Sequence, residues 1–503
     1  MDKAHGFPQN SPAGNLGRRG EQETDMNNLT SSVTPARGRR ARLSRRAFLG
    51  RTAAAAAVTI LARRAPAGTK AVPPSERTTL AAIGMGGQGL QDLGTFLDFP
   101  EIQVVAVCDV NRESGGYLSW NWGLGKDRRI AGREPARRRV EAHYGKQKPS
   151  GTYTGCKAYT DFRELLAGED VDAVLVATPD HVHAVATMAA LSGGKHVFCE
   201  KPLAWSVEEA RRVAEATHKA GVATQLGNQG QASEEDRLVR EMIADGAIGP
   251  VREVHVWSPA RFWAYPTWEG RPADTPPVPD GLDWDLWLGP APERPYHPAY
   301  HPWTWRNWWD FGTGVLGDLG CHKLSTVVKA LELGHPVRVQ ASSTKMDPEI
   351  YPLGVIARYE FPARGSRPPV TLSWYDGGLK PPRPKGLEPG RRIADVTYIG
   401  DEGVLMGHRL VPESRMKAYG RPPRTLPRSP GHYKEWVDAC RGGPPAGADF
   451  FRHTGLLTEI CMLGNVALRA GKELLWDGPA MRVTNDEKAN RFLGRTYRDG
   501  WSL

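Results

Sequence analysis

Three glycines constrain the first half of this chain more than any other feature. Gly84, Gly86 and Gly89 follow the apolar run Leu80-Ala81-Ala82-Ile83 in the spacing G-x-G-x-x-G, with Gly87 in the same turn. The run suits a buried parallel strand, and the glycines fall where a helix, predicted over Leu90 to Leu97, can begin. Gly84 permits a tight turn, Gly86 lets the backbone approach an anion with no Cβ in the way, and Gly89 lets the helix pack on its strand. That helix then directs unpaired N–H groups and the positive end of its dipole at one spot. Glycine spacing alone also occurs in ordinary turns.

The downstream context makes the pattern specific. A second apolar run, Ile102 to Cys108, ends at Asp109, twenty residues beyond Gly89. Strand, glycine turn, helix, strand and terminal carboxylate in that order describe a dinucleotide site, with Gly84, Gly86, Gly87 and Gly89 about the pyrophosphate. A carboxylate at 109 suits the adenosine ribose hydroxyls and repels a 2′-phosphate, so NAD is expected over NADP, although Arg112 nearby softens the preference. Asp109 also suits a helix cap or turn. The alternation continues through a short helix at Phe162 to Leu166, a strand at Val171 to Ala177, a helix at His183 to Leu191 and a strand at His196 to Cys199. Thr178-Pro179 ends the third strand, at the side where a nicotinamide would lie. The order over 78–202 is that of a doubly wound α/β fold.

At 503 residues the chain is long enough for two domains with appendages. Its formal charge of +10 is unevenly spread: residues 1–67 carry twelve Lys/Arg against four Asp/Glu, leaving +2 for everything else. The body therefore gives no reason to expect a nucleic-acid partner. The leader contains Ser44-Arg45-Arg46-Ala47-Phe48-Leu49, then an apolar run from Thr52 to Ala62 and small residues at Ala65-Pro66-Ala67. This matches a twin-arginine signal with a cleavage site, so the expectation is export in a folded state from a bacterial cytoplasm, to the periplasm or beyond. The apolar run is too short to span a bilayer, and no stable membrane insertion is expected after processing. Folded export would also carry a cofactor across already bound, which predicts tight retention. The six cysteines show no metal-like spacing and are expected as buried thiols, with pairing of some after export as the other reading.

Four segments, Gly84 to Gly89, Cys108-Asp109-Val110, Ala177 to His183 and Cys199-Glu200-Lys201-Pro202-Leu203, together resemble the Gfo/Idh/MocA oxidoreductases. The resemblance runs from about 77 to the C-terminus. It implies a Rossmann domain over 77–203 and a C-terminal substrate-binding α/β domain over 204–503, built on a large, mostly antiparallel open sheet. It assigns Thr178, Pro179, His183, Glu200 and Lys201 to the cofactor side and makes Lys201 catalytic. A second family motif, Asp-x-x-x-His after a glycine-rich approach, maps onto Asp318 and His322 within Gly312 to His322. It implies Gln229 near the active-site mouth; a polar turn is the other reading of that residue. Close relatives often continue the second motif with another His and an Asp, where this chain has Lys323 and Ser325. The family often forms homo-oligomers.

The chemistry of these residue types fits that assignment. Positions four apart share one helix face, so Asp318 can orient His322. A dehydrogenase removes the hydroxyl proton as the C–H leaves as hydride, which suits an imidazole, while Lys201 stabilises the charge growing on oxygen. From 257 to 309 lie nine of the sixteen tryptophans, among Pro, Tyr and His. Aromatic faces beside polar groups stack on sugar rings, which makes Trp305 and Trp308 candidate walls of a carbohydrate site; packing of long loops is the competing role. His297 and His301 lack a third ligand, so no metal is expected. The expected function is NAD-dependent hydride transfer to or from a secondary alcohol or ketone of a sugar, glycoside or cyclic polyol. The alternative is a redox-neutral enzyme that keeps its NAD and cleaves or epimerises through a transient 3-keto sugar. A binding protein with a vestigial cofactor site fits worst, because Gly84, Gly86, Gly89, Lys201, Asp318 and His322 are all intact.

Overall fold

The computed structural model describes residues 72–117, 129–258 and 270–503. The leader with its twin-arginine segment, Trp120 and Trp122, and Trp263 and Trp268 lie outside the described residues. Among the described residues no helix is long and apolar enough to cross a membrane.

The first sheet is built from β1 (Thr78–Ile83), β2 (Ile102–Cys108), β3 (Lys157–Tyr159), β4 (Ala173–Val176), β5 (His196–Cys199) and β6 (Thr224–Leu226), in the order β3-β2-β1-β4-β5-β6. All neighbours are parallel. Their near-continuous burial explains the unbroken apolar runs, since helices cover both faces of such a sheet. Chain order reverses between β1 and β4, which opens the crevice at their carboxyl ends. The helices between strands are α1 (Gly87–Leu97), α2 (Arg133–Gly145), α3 (Phe162–Gly168) and α4 (Asp180–Ser192), with α5 (Val207–Ala220) before β6. Because β6 pairs with β5, the parallel sheet extends past the join expected at 203.

Local rules account for the helix ends. α5 starts on Ser206, whose Oγ accepts the Glu209 N–H at 3.2 Å while Glu209 accepts the Trp205 N–H at 2.9 Å, and it stops at Gly221 with φ +64°. On α2, Arg138 and Arg139 are exposed, Arg137 pairs with Glu134 and Glu141, and Arg139 reaches over α1 to donate to the Leu90 carbonyl at 2.8 Å.

The second sheet has nine strands: β7 (Val251–Trp257), β8 (Arg338–Ser343), β9 (Val355–Phe361), β10 (Val370–Tyr375), β11 (Val396–Gly400), β12 (Gly403–Met406), β13 (Arg409–Val411), β14 (Leu474–Asp477) and β15 (Arg482–Val483). Their order is β13-β12-β11-β7-β10-β9-β8-β14-β15, and only β7 and β10 run parallel. Val254, Val256, Val339, Ala357, Tyr359, Leu372 and Trp374 point to the core, while Glu253, Gln340 and Arg358 alternate to the outside. Four further helices are α6 (Glu234–Ala244), α7 (Gly314–Leu331), α8 (His432–Cys440) and α9 (Gly455–Ala470). Gly317 and Gly320 bring α7 against α9, since a Cβ there would stand 3.0 Å from Met462 Cε and from Cys461 Sγ. α8 returns to the first sheet, where Trp436 stacks edge-on against Phe96 and Phe198 at 5.2 and 5.7 Å between ring centres. All six cysteines are free, five of them buried.

Candidate active site

The glycine turn works through contacts that no side chain permits. Gly84 has φ +84°, and a Cβ there would lie 2.5 Å from the backbone of Ala177 and Thr178. A Cβ on Gly89 would stand 1.9 Å from the Gly84 carbonyl oxygen, so its absence lets α1 dock on β1. A Cβ on Gly86 would meet only the Tyr117 ring, at 3.1 Å. The turn opens onto a cavity at the crevice between β1 and β4. Gly84, Gly86, Gly87, Asp109, Thr178, Pro179, His183, Glu200, Lys201, Trp305 and Asp318 all border it. Cradle, helix terminus and carboxylate in one crevice fit a dinucleotide.

Asp109 sits at the end of β2, where its Oδ2 accepts the Met85 N–H at 2.6 Å and Oδ1 accepts the Asn111 N–H at 2.8 Å. It therefore braces the glycine turn as well as bordering the cavity, and burial pushes its pKa up to about 6. Arg112 is not among the residues that border the cavity.

At the opposite end, Lys201 follows β5 and its Nζ donates to Oδ1 of Asp318, in the second turn of α7. Arg306 Nε stands 3.5 Å from the other oxygen of Asp318. Burial would raise the Asp318 carboxyl, but the charges of Lys201 and Arg306 outweigh it and hold it below the ordinary value. Burial likewise opposes the Lys201 ammonium, and Asp318 and Glu200 overcome it, so Lys201 stays protonated. The expected pairing of Asp318 with His322 thus gives way to one with Lys201 and Arg306. His322 lies one turn further along α7, half-buried and not bordering the cavity. Enclosure by protein, then the Lys201 charge, pushes its pKa down to about 3, which leaves a neutral ring.

Other expectations are revised by the packing. His183 does border the cavity, and its two ring nitrogens face the Pro202 and Thr178 carbonyls at 2.6 and 2.8 Å, so it also ties the end of β4 to the Lys201-Pro202 turn. Trp308 is buried, donates its Nε1–H to the Ala299 carbonyl at 2.8 Å and packs on Tyr300, away from the cavity; it is a core ring. Gln229 does not reach the cavity either: its amide donates to Glu200 at 3.0 Å and to Tyr433 at 3.3 Å. His301 takes Tyr117 as partner at 3.0 Å, and His297 lies 3.4 Å from Asp274.

Two site residues were not singled out from sequence. Arg306 is half-buried with its guanidinium 4.0 Å from the Trp303 ring and 4.1 Å from Trp305, and only its place in the tryptophan-rich stretch hinted at it. Asp180 accepts the Thr313 N–H at 3.1 Å and the Thr313 hydroxyl at 2.6 Å, joining α4 to the start of α7. Burial, then repulsion from Asp318, pushes its pKa up to about 7.

Behind Lys201 lies a buried acidic pair. Asp92 on α1 accepts from Tyr433 at 2.7 Å and Gln88 at 2.8 Å, beside Glu200. Burial and then the Glu200 charge push the Asp92 pKa well above 3.8. A raised carboxyl pKa means that the folded chain holds a proton the unfolded chain has released, so stability falls as pH rises above about 4 towards the folded pKa. Asp92→Asn removes that slope while keeping the acceptor oxygen. Its thermal midpoint should match the parent at about pH 4 and exceed it increasingly at higher pH; a gap that does not grow with pH would refute the raised pKa.

Comparison with known proteins agrees with this geometry. An oxidoreductase-family NAD-binding Rossmann description, that of Gfo/Idh/MocA, matches residues 138–228, and the C-terminal α/β domain of the same family matches 233–356. Both matched segments are similar to domains of the Gfo/Idh/MocA oxidoreductases. Among curated proteins, 1,5-anhydro-D-fructose reductase of Ensifer adhaerens is 36% identical over 132 residues, 26% of this chain and 39% of that protein. Inositol 2-dehydrogenase of Klebsiella pneumoniae is 42% identical over 94 residues, 18% of this chain and 28% of that protein. The chain therefore matches well under half the length of these relatives. Among solved structures, the WlbA dehydrogenase of Bordetella pertussis, in complex with NADH and UDP-GlcNAcA, superposes with a TM-score of 0.52 over 80% of this chain and 99% of its own, at 18% identity, a likeness of fold.

Proposed function

We propose that this Gfo/Idh/MocA protein is an NAD-dependent oxidoreductase acting on a secondary alcohol or ketone of a sugar, glycoside or cyclic polyol. The observation that carries the reading is the Lys201–Asp318 pair at the far end of the cavity that the glycine turn opens. Bound NAD supplies the hydride acceptor, or as NADH the donor. The Gly84 to Gly89 turn and the α1 terminus hold its pyrophosphate, and Asp109 faces its ribose. Lys201, kept as an ammonium by Asp318 and Glu200, hydrogen-bonds the reacting oxygen and stabilises the negative charge that grows there as the hydroxyl proton leaves. Asp318 positions Lys201, and neutral His322, set back from the cavity along α7, is proposed to receive the hydroxyl proton through an intervening water. Trp305 offers a ring at the cavity for the substrate.

Net hydride transfer is preferred to the redox-neutral cycle because the two curated relatives described above are named as a reductase and a dehydrogenase. Asp109 at the ribose end favours NAD over NADP. Export follows from Ser44 to Leu49, so the protein is proposed to reach the periplasm by the twin-arginine route. The test uses protein recovered from the exported fraction. It should bind NADH at least about tenfold tighter than NADPH, because the Asp109 carboxylate repels a 2′-phosphate. It should also interconvert NAD and NADH with a member of a polyol and sugar panel. Protein that binds neither nucleotide would overturn the reading, and redox-neutral products without net NADH would replace it with the alternative.

A further inference from the structure

The segment from Arg495 to Trp501 crosses back onto the Rossmann domain and is fastened there at several points. Arg495 lies 3.0 Å from Glu209, and the Tyr497 hydroxyl donates to Glu209 at 3.0 Å. Arg498 donates to the Gly289 carbonyl at 3.1 Å and the Asp285 carbonyl at 2.7 Å. The Trp501 N–H closes a turn onto the Arg498 carbonyl at 3.0 Å. These anchors deliver the Trp501 indole to the edge of the dinucleotide cavity. There it packs against Phe162 at 6.1 Å between ring centres, with the Arg163 guanidinium 4.5 Å from its own ring.

The indole's neighbours place it along the crevice. Phe162 begins α3, directly after the end of β3, and Thr160, Asp161 and Phe162 all border the cavity. β3 pairs with β2, and the Asp109 N–H donates to the Tyr159 carbonyl at 3.1 Å, so Trp501 and Phe162 stand at the Asp109 end and Lys201 at the other. A flat, apolar base needs a wall of this kind, because a Rossmann turn recognises phosphate and ribose but supplies no aromatic surface.

We infer that Trp501 is a cofactor-binding residue that forms an aromatic wall for the adenosine half of the dinucleotide. The inference rests on the NAD reading above. Preorganisation by the Arg495, Tyr497 and Arg498 anchors means that the indole is already in place when nucleotide arrives, which slows nucleotide release.

The test compares equilibrium binding of NADH, ADP-ribose and nicotinamide mononucleotide to the parent chain, Trp501→Ala and Trp501→Phe, with NADH release followed by stopped flow. Base–aromatic stacking lost to alanine predicts about tenfold weaker binding of both NADH and ADP-ribose, mostly as faster release, with nicotinamide mononucleotide unchanged. Trp501→Phe should restore most of the affinity, which also answers the case of an alanine variant that folds poorly. A Trp501→Phe variant as weak as alanine, or ADP-ribose binding that stays at the parent value in Trp501→Ala, would overturn the inference. Failure of the parent chain to bind NADH would instead remove the NAD reading beneath it.

Discussion

Replacing Lys201 with alanine is expected to lower kcat by at least about a hundredfold, ~3 kcal/mol of transition-state stabilisation, with a small change in NADH affinity. The ammonium is the donor placed where the substrate oxygen becomes negative, and Asp318 and Glu200 keep it charged despite burial. A second effect is superimposed. Removing Lys201 leaves Asp318 buried with one fewer countercharge, which costs about 3 to 5 kcal/mol when a buried pair loses one member. The thermal midpoint should therefore fall as well. Lys201→Met with Asp318→Asn separates the two effects, because it removes both charges while keeping the volume. The midpoint should return towards the parent value while turnover stays lost. Turnover that recovers along with stability would show that Lys201 acts only as a structural cation.

Gly89→Ala is the second large effect, and it acts on the fold and the cofactor together. The added methyl would stand 1.9 Å from the Gly84 carbonyl oxygen, a backbone atom that cannot swing aside. Either α1 is pushed off β1 or the glycine turn deforms, and each outcome displaces the N–H groups that face the pyrophosphate. A destabilisation of about 3 kcal/mol and loss of measurable NADH binding are expected from a thermal melt and a titration. Gly84→Ala should behave alike, because φ +84° and the Ala177 backbone both exclude a side chain. Gly86→Ala is the contrast. Its methyl meets only the edge of the Tyr117 ring at 3.1 Å, so the fold should survive while nucleotide binding weakens. If Gly86→Ala proves as damaging to stability as Gly89→Ala, the turn is packed differently from the arrangement described here.

Much of this was legible in the chain itself, because the relevant physics is local. The apolar runs at Leu80 to Ile83 and Ile102 to Cys108, the glycine spacing and Asp109 specify strand, turn, helix and strand within about thirty residues of each other. Ser206 with Glu209, and Gly221, mark the two ends of α5 for the same reason. Lys201 and Asp318 were identified through family motifs, and the structure places both at one cavity.

What the tertiary structure alone decided is which charged and aromatic groups meet, since this depends on contacts between segments far apart in the chain. Asp318 and His322 share a helix face, yet Asp318 turns to Lys201, 117 residues away, and to Arg306, because a buried carboxylate is stabilised most by the full charges that the fold brings to it. Trp305 and Trp308 look alike in sequence, but only the first borders the cavity; the second finds Ala299 and Tyr300 and becomes core. Gln229 is drawn to Glu200 by the need to satisfy a buried acid, a need that exists only once α1 and α8 have closed over it. Trp501 reaches the cofactor cavity only because Arg495, Tyr497 and Arg498 find their partners on distant elements. Periodicity and short motifs encode the elements and the cofactor cradle, whereas the composition of the site is set by desolvation and charge pairing, which have no meaning until the chain is packed.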